Sequence, residues 1–557
     1  MVEPMRTTTR LMTAVVAVAA MTLAACSSGG SATAGSSSGT TGSGSASASG
    51  SGSASSNAAP GGSGASPTTE TGTPVSGGDL VIARAADALA MNNTNTFDNN
   101  SIFVFEQIME PLFTVTDDGK GTKPWLATGY KTSDDGLTYT VTLRKGVKFS
   151  NGDPMTSADV KFSIDAATAT GNDGWGYINA AIDTVSAPDP DTVVFKLKYQ
   201  WAPFIADLAL FSNAIVPKDY DGQSTDEFYQ HPVGTGPFMW DKWEKGKALT
   251  LKKNPNYWQQ GKPYLDSVTW NVVPDGNARK LQLQGGQASI DEYPDWSTMD
   301  DLKATSGITA TTFPSTQLTL LTMNQQHKPF QDIHVRRAIA ASIDREAIVK
   351  AVLFGNGTAA NSLLMPGVPY YDKNTKGIQF NEDLAKSEMA KSSVPGGFST
   401  TVLVRSGDST QASVAQILQG ELEPLGIKLE IKQLDPTAVK TARNAGDFDM
   451  LFGGWTMDIP DPDEWTSFAV DPDGGAHADY TWGNDPEIVK INKEAQKTTD
   501  TAKRQELYSK LQSLAAENSA EAYLYYSPYA YAWQNKVHGF FVTPLGNYHL
   551  EDVWLSK

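Results

Sequence analysis

The fold class is indicated most clearly by the stretch from Thr400 to Phe468, TTVLVRSGDSTQASVAQILQGELEPLGIKLEIKQLDPTAVKTARNAGDFDMLFGGWTMDIPDPDEWTSF. Apolar residues at 402–404 predict a strand, and the apolar residues that recur at helical spacing over 414–425 predict a helix. Gly426 suits the C-terminal end of that helix. The alternation of apolar and charged residues from Ile427 to Ile431 then predicts a second strand.

The same stretch continues with a short polar helix at 437–444 and an apolar run at 450–455 that predicts a third strand. A β-α-β-α-β order implies a parallel or mixed sheet with helices packed on it. In open α/β sheets the ligand binds beyond the carboxyl ends of the strands. Trp455 and Asp458 lie just past the third strand, where a ligand is expected.

The remainder of the chain also mixes strands and helices, which predicts an α/β protein. Alternating residues predict strands at 137–143 and 193–197, and Leu507, Leu511 and Leu514 mark an amphipathic helix. Apolar residues recur at every fourth position over 335–351. Asp344 inside that run would cap a new helix and divide the segment in two.

The N-terminus has the features of a secretory signal. Arg6 and Arg10 precede an apolar run from Leu11 to Leu23, and small residues lead to Cys26. The run is too short for a transmembrane helix, which needs about 20 apolar residues. Leu23-Ala24-Ala25-Cys26 resembles the bacterial lipobox, which implies cleavage before Cys26 and lipidation of its thiol. Cys26 is the single cysteine, so disulfides and thiolate chemistry are excluded from the mature domain.

Residues 27–78 consist almost entirely of Gly, Ser, Ala and Thr. Such a composition cannot bury enough apolar surface to fold, so we predict a disordered tether between the lipid and a folded part that spans Asp79 to Lys557. The net charge is −18, with no basic stripe. This charge argues against nucleic acid and against anionic lipid surfaces as partners.

Several motifs in the folded part resemble bacterial extracellular solute-binding proteins of family 5, which serve peptide, dipeptide and nickel ABC transporters. The resemblance rests on TSDDGLTYTVTLRKGVKFSNGDPMTSADVKFS (132–163), PVGTGPF (232–238), NPNYW (254–258) and NQQHKPFQDIHVRRAIAASIDREAIV (324–349), which occur in the family's order. It covers nearly all of residues 79–557. The implied protein is extracytoplasmic, anchored by its lipid to the outer face of the cell membrane, and monomeric.

The resemblance implies a two-lobed clamshell of the large three-domain type, with mixed sheets and a hinge. Its lobes would close over the ligand. The expected domains are a discontinuous domain I (79–112, 233–323 and 524–557), an inserted domain II (113–232) and a domain III (324–523).

The resemblance also implies ligand contacts. Asp458 falls in the W-x-x-D element whose acid pairs with the α-ammonium of a bound peptide in peptide-binding relatives, and Trp455 would form an apolar wall beside it. Arg405 resembles the arginine that binds the ligand carboxylate in dipeptide-binding relatives. Trp175 and Tyr177 would line the face of domain II. The alternatives are an exposed turn for Asp458 and Arg405 and core packing for the aromatic residues.

The expected function is capture of a di- or oligopeptide and delivery to an ABC permease, with an oligosaccharide or a nickel chelate as the alternative ligand. The remote alternative is a lipid-anchored extracellular hydrolase. No hydrolase, zinc-protease or nucleotide-binding motif is present, so we expect no enzymatic activity and no cofactor. The six histidines contain no pair at helical ligand spacing, which argues against a metal site.

Overall fold

The structure, a computed structural model, describes residues 72–171, 174–474 and 480–557. The predicted signal segment with Cys26, and residues 27–71 of the predicted tether, lie outside the described residues. At the end of the predicted tether, Gly77 donates a hydrogen bond to the carbonyl of Tyr264 at 2.7 Å. Gly78 donates to Asp266 Oδ2 at 3.0 Å. These last two tether residues are therefore already attached to the folded body.

The strands in the described part of the chain are β1 (Asp79–Arg84), β2 (Phe113–Val115), β3 (Thr122–Pro124), β4 (Ala127–Thr132), β5 (Thr138–Leu143), β6 (Ile182–Asp189), β7 (Thr192–Leu197), β8 (Phe238–Glu244), β9 (Ala248–Lys253), β10 (Ser267–Val272), β11 (Ile290–Glu292), β12 (Ile308–Met323), β13 (Thr358–Ala359), β14 (Ser399–Arg405), β15 (Lys428–Leu434), β16 (Met450–Trp455), β17 (Glu521–Gln534), β18 (Val537–His538) and β19 (Trp554–Leu555). The strands predicted at 137–143 and 193–197 correspond to β5 and β7, so both predictions are confirmed.

The α-helices in the same ranges are α1 (Asn99–Phe105), α2 (Ser157–Ala169), α3 (Phe204–Asp207), α4 (Thr225–Phe228), α5 (Gly276–Gln284), α6 (Met299–Ala304), α7 (Lys328–Gln331), α8 (Ile333–Ser342), α9 (Arg345–Val352), α10 (Glu382–Lys391), α11 (Ser409–Leu422), α12 (Pro436–Ala445), α13 (Asp463–Val470), α14 (Pro486–Lys497) and α15 (Thr501–Asn518). The amphipathic helix predicted around Leu507 is α15. The run at 335–351 is divided, because the Asp344 side chain accepts a hydrogen bond from the backbone of Ala347 at 3.0 Å and caps α9.

The segment that decided the fold class forms the predicted order β14-α11-β15-α12-β16. Asp408 caps α11 by accepting from the backbone of Gln411 at 2.9 Å. Gly426 adopts φ 73°, the left-handed conformation that ends a helix and favours glycine. β14 pairs in parallel with both β15 and β16, so their carboxyl ends share one edge of the sheet.

A single large sheet runs through the protein in the order β15-β14-β16-β12-β17-β11-β1-β10-β9-β8, with β13 paired to β17. It mixes parallel and antiparallel pairs. The long strands β12 and β17 lie at its centre and pair antiparallel with each other, with register shifts between Phe313 and Gln317 and between Thr319 and Leu320. Register shifts bend a strand pair locally, which suits strands that connect two lobes.

We call residues 79–304 with the C-terminal residues 535–557 the first lobe, and residues 328–518 the second lobe. The first lobe also carries a four-stranded antiparallel sheet, β4-β5-β7-β6, packed against α2. This sheet lies inside the predicted domain II. The predicted domain boundaries remain a proposal, which the strand order supports.

Each lobe has its own apolar core, and burial of these side chains is the main source of stability. The first-lobe core includes Phe103 and Trp270, and the second-lobe cores include Ile339 and Trp465. Ile459 of the second lobe is buried within the first-lobe core. The loop that follows β16 therefore packs directly against the opposite lobe.

Candidate functional site

The candidate site lies in the loop after β16, at the carboxyl edge of the parallel strands. Asp458 is buried there, with 6% of its surface exposed. In the ranges 72–171, 174–474 and 480–557 its carboxyl group forms no ion pair. A buried carboxyl group without a cation is costly when ionised, so this position favours a positively charged ligand.

Glu464, in the first turn of α13, holds this loop in place. Its Oε2 accepts hydrogen bonds from the backbone N–H groups of Asp458 and Ile459, both at 2.9 Å. Its Oε1 accepts from the Trp455 indole at 3.1 Å. The side chain is fully buried, and three N–H donors stabilise its ionised form.

Asp458 and Glu464 are coupled because two buried carboxyl groups cannot both ionise easily. Burial raises the pKa of Asp458 well above its ordinary range, and Glu464 and Glu106 raise this pKa further. Burial raises the pKa of Glu464 to about 8 despite its hydrogen bonds. Because Glu464 has the three N–H donors, we assign the proton of the pair to Asp458.

A third carboxyl group comes from the first lobe. Glu106 follows α1, and its Oε1 accepts a hydrogen bond from Asn547 Nδ2 at 2.7 Å. Burial raises the pKa of Glu106 to about 7, although His549 opposes this shift. The charge of Glu106 also raises the pKa of Asp458, after the larger effects of burial and Glu464.

Aromatic rings from both lobes form the wall beside these acids. Trp175 lies 6.2 Å from Trp455, and Tyr177 lies 6.3 Å from Phe468, measured between ring centroids. The Tyr177 hydroxyl also donates to the backbone carbonyl of Glu464 at 3.2 Å. Trp175, Tyr177, Trp455 and Asp458 are thus brought to one interface between the lobes.

The position of Trp175 follows from its local backbone. Its N–H donates to the carbonyl of Thr94 at 2.9 Å, and its indole donates to the carbonyl of Thr96 at the same distance. Gly174 permits this approach, since a Cβ there would lie 2.4 Å from the Thr94 oxygen.

Arg405 differs from the other predicted site residues. It ends β14 at the same edge of the sheet, but it is exposed. In the part of the chain that the structure describes, its guanidinium forms no hydrogen bond or ion pair. Its role as the carboxylate-binding residue stays a prediction.

Two residues were missed by the sequence-based prediction. Glu464 follows Asp461-Pro462-Asp463, and acids in such a loop are usually exposed, so the local pattern does not indicate its burial. Glu106 lies about 350 residues from Asp458, and only the folded arrangement relates the two side chains.

The comparisons with known proteins agree with this architecture. Residues 121–477 match the model of bacterial extracellular solute-binding proteins, family 5. The chain belongs to this family. It is an extracytoplasmic solute-binding protein of the kind that serves ABC importers, and it is a receptor rather than an enzyme, as predicted.

A probable D,D-dipeptide-binding periplasmic protein of Escherichia coli is 30% identical over 477 residues, which cover 84% of this chain and 92% of that protein. The ABC transporter-associated periplasmic binding protein DppA of Helicobacter pylori, solved with the peptide STSA, superposes with a TM-score of 0.80 at 27% identity, over 87% of this chain and 99% of that one. The oligopeptide-binding protein AppA of Bacillus subtilis, solved with a nonapeptide, gives a TM-score of 0.78 at 26% identity, over 87% of this chain and all of that one (100%). These likenesses confirm the predicted fold class.

Within residues 72–171, 174–474 and 480–557, no group of three or more His, Cys, Asp or Glu side chains could hold a metal ion. No helix there is both long enough and apolar enough to cross a membrane.

Proposed function

We propose that this protein captures a peptide with a free N-terminus outside the cell and delivers it to an ABC permease. The observation that carries the proposal is Asp458, a buried carboxyl group at the interface between the lobes without a cationic partner among the described residues. The α-ammonium group of a peptide supplies such a cation. The peptide complexes of the two structural relatives support this assignment.

The ligand would bind between the lobes, because the groups proposed to contact it come from both. Asp458 and Trp455 belong to the second lobe, and Trp175 and Tyr177 belong to the first. A ligand that contacts both lobes favours the closed state over an open one. Arg405 is a further candidate for contact with the distal carboxylate of a bound peptide.

Native mass spectrometry of freshly purified protein tests the ligand class. We expect a bound mass that dissociates on activation and fragments as a peptide with an unmodified N-terminus. The same preparation analysed under denaturing conditions is the control, since it should lose the bound mass. A carbohydrate or a metal chelate in place of a peptide would contradict the proposal.

We also propose that the protein is anchored by a lipid on Cys26, because the preceding Leu-Ala-Ala matches the lipobox pattern. Cys26→Ser should abolish acylation and leave the protein in its precursor form or released, with a changed distribution in detergent partitioning. Ser27→Ala is the matched control and should partition as the natural sequence does. Unchanged partitioning of Cys26→Ser would contradict the anchor.

A further inference from the structure

A second group of contacts joins the two lobes. The loop that follows β7, together with the short helix α3, forms a segment of the first lobe, residues 199–207, which we call the strap. The backbone N–H of Ala202 in the strap donates to the carbonyl of Gln496, in the last turn of α14, at 2.8 Å. The Lys497 ammonium lies 4.8 Å from the centre of the Tyr199 ring. Two neighbouring residues of the second lobe thus contact the strap directly.

The hydrogen bond to Gln496 satisfies a group at the end of a helix. The last four carbonyl groups of a helix have no partner within that helix. In α14 the carbonyl of Glu494 accepts from the Thr498 hydroxyl at 2.8 Å, and the carbonyl of Ala495 accepts from Arg504 Nε at 3.0 Å. The carbonyl of Gln496 instead accepts from the first lobe. Separation of the lobes would therefore break this bond.

The strap is held in its conformation by contacts within the first lobe. The Trp201 indole donates to Asp207 Oδ2 at 2.7 Å, and both side chains are buried. The backbone carbonyl of Asp207 accepts from Asn213 Nδ2 at 2.8 Å. The Tyr199 ring lies 5.9 Å from the Trp201 ring, measured between centroids. These contacts order the strap and involve no residue of the second lobe.

The end of α14 is held in the same way by contacts within the second lobe. The Gln496 side chain donates through Nε2 to Asp463 Oδ1 and to Ser467 Oγ, both at 2.6 Å. Asp463 and Ser467 belong to α13, so this helix fixes the end of α14. Contact between two surfaces that are already ordered costs little conformational entropy. The strap and the end of α14 are therefore ready to bind each other without a ligand.

We propose that the strap and the end of α14 form a latch, which holds the two lobes together in the ligand-free protein. A bound ligand then adds its contacts to a closed state that is already populated, and the latch slows release of the ligand. This inference concerns closure of the receptor and does not depend on which ligand binds. It is therefore separate from the role proposed for Asp458.

Disulfide cross-linking supplies a reference for the latched state. Cys26 is the single cysteine, so Ala202→Cys with Lys497→Cys in a Cys26→Ser chain introduces the only two thiols. The hydrogen bond from Ala202 to Gln496 places the Cα atoms of Ala202 and Lys497 within about 7 Å, near the span of a disulfide. This pair should oxidise without added peptide. Ala202→Cys with Lys490→Cys is the matched control and should stay reduced, because Lys490 lies about 10 Å further back along α14.

Small-angle scattering then tests the latch in protein that has been freed of co-purified ligand by unfolding in urea and refolding. The radius of gyration of the Cys26→Ser parent should equal that of the oxidised double variant. In the same chain, Lys497→Ala removes the ammonium group from Tyr199 and should shift the radius toward larger values. Ala202→Pro removes the N–H donor and should shift it further. Lys490→Ala, an exposed change on the same helix, is the matched control and should leave the radius unchanged.

Release of a peptide gives a second measurement. A fluorescent Ala-Ala-Ala peptide, labelled at its C-terminus, should leave Ala202→Pro about twofold to tenfold faster than the parent, the factor expected for one hydrogen bond. A parent whose radius exceeds that of the oxidised variant, or an unchanged radius in both latch variants, would overturn the latch and leave the proposed function standing. Failure of the peptide to bind would count against the proposed function alone, because the scattering comparison needs no ligand.

Discussion

Asp458→Asn is expected to weaken binding of a free peptide by roughly a hundredfold to several thousandfold. The change removes the anionic partner of a buried ammonium group, and breaking one half of a buried ion pair costs about 3–5 kcal/mol. Asparagine has nearly the same shape, so the loop held by Glu464 should remain in place. Calorimetry against one peptide of fixed sequence gives the affinities.

N-acetylation of the same peptide supplies the chemical counterpart of this substitution. The acetylated form has no α-ammonium and should bind the natural protein as weakly as the free form binds Asp458→Asn. The acetylated peptide should lose little further affinity when Asp458 is replaced by asparagine, because the interaction with the α-ammonium is already absent. Asp383→Asn, an exposed acid of the second lobe, is the matched control. Equal affinities of the natural protein for free and acetylated peptides would remove the role assigned to Asp458.

Proton release provides a separate signature of the same interaction. Burial raises the pKa of Asp458 well above its ordinary range in the free protein. An ammonium group stabilises the ionised form and lowers this pKa, so binding should release protons from the site and affinity should rise with pH. The release is measured from the dependence of the binding enthalpy on the ionisation enthalpy of the buffer. Asp458→Asn should abolish it.

The sequence was sufficient to predict the module from β14 to β16, because each of its elements has a clear apolar period and a recognisable cap. Asp458 was singled out by similar reasoning, because its position in the chain depends only on where β16 ends. In the structure Trp175 and Tyr177 contact residues of the second lobe. Their roles as ligand contacts stay predictions.

The burial of Glu464 and the exposure of Arg405 depend on contacts between distant segments. Local sequence patterns do not encode such contacts. Glu464 lies among Pro and Asp residues that are typical of an exposed turn, yet its side chain is fully buried and binds Trp455, Asp458 and Ile459. Arg405 ends a strand much as Trp455 does, but its side chain remains exposed. Whether a side chain is buried between the lobes depends on the tertiary fold and not on its neighbours in the sequence.

The second prediction with a large expected effect concerns the buried ion pair between Arg504 and Asp461 and the stability of the fold. Arg504→Met should lower the free energy of unfolding by about 3–5 kcal/mol, because Asp461 would remain buried without its cation. Arg504 is buried, and it also donates from Nε to the carbonyl of Ala495 at 3.0 Å, so the substitution loses this bond as well. Asp463 lies nearby, and its charge would add to the repulsion. Urea unfolding followed by tryptophan fluorescence measures the change.

Lys503→Met is the matched control for this experiment. Lys503 precedes Arg504 on α15, but its ion pair with Glu506, at 3.2 Å, is exposed to solvent. Exposed pairs contribute about 0–1 kcal/mol, so this variant should unfold close to the natural protein. Asp461 lies three residues after Asp458, so Arg504→Met should also loosen the binding loop and weaken peptide affinity. Equal stability of the two variants would show that the buried pair does not hold this loop in the fold.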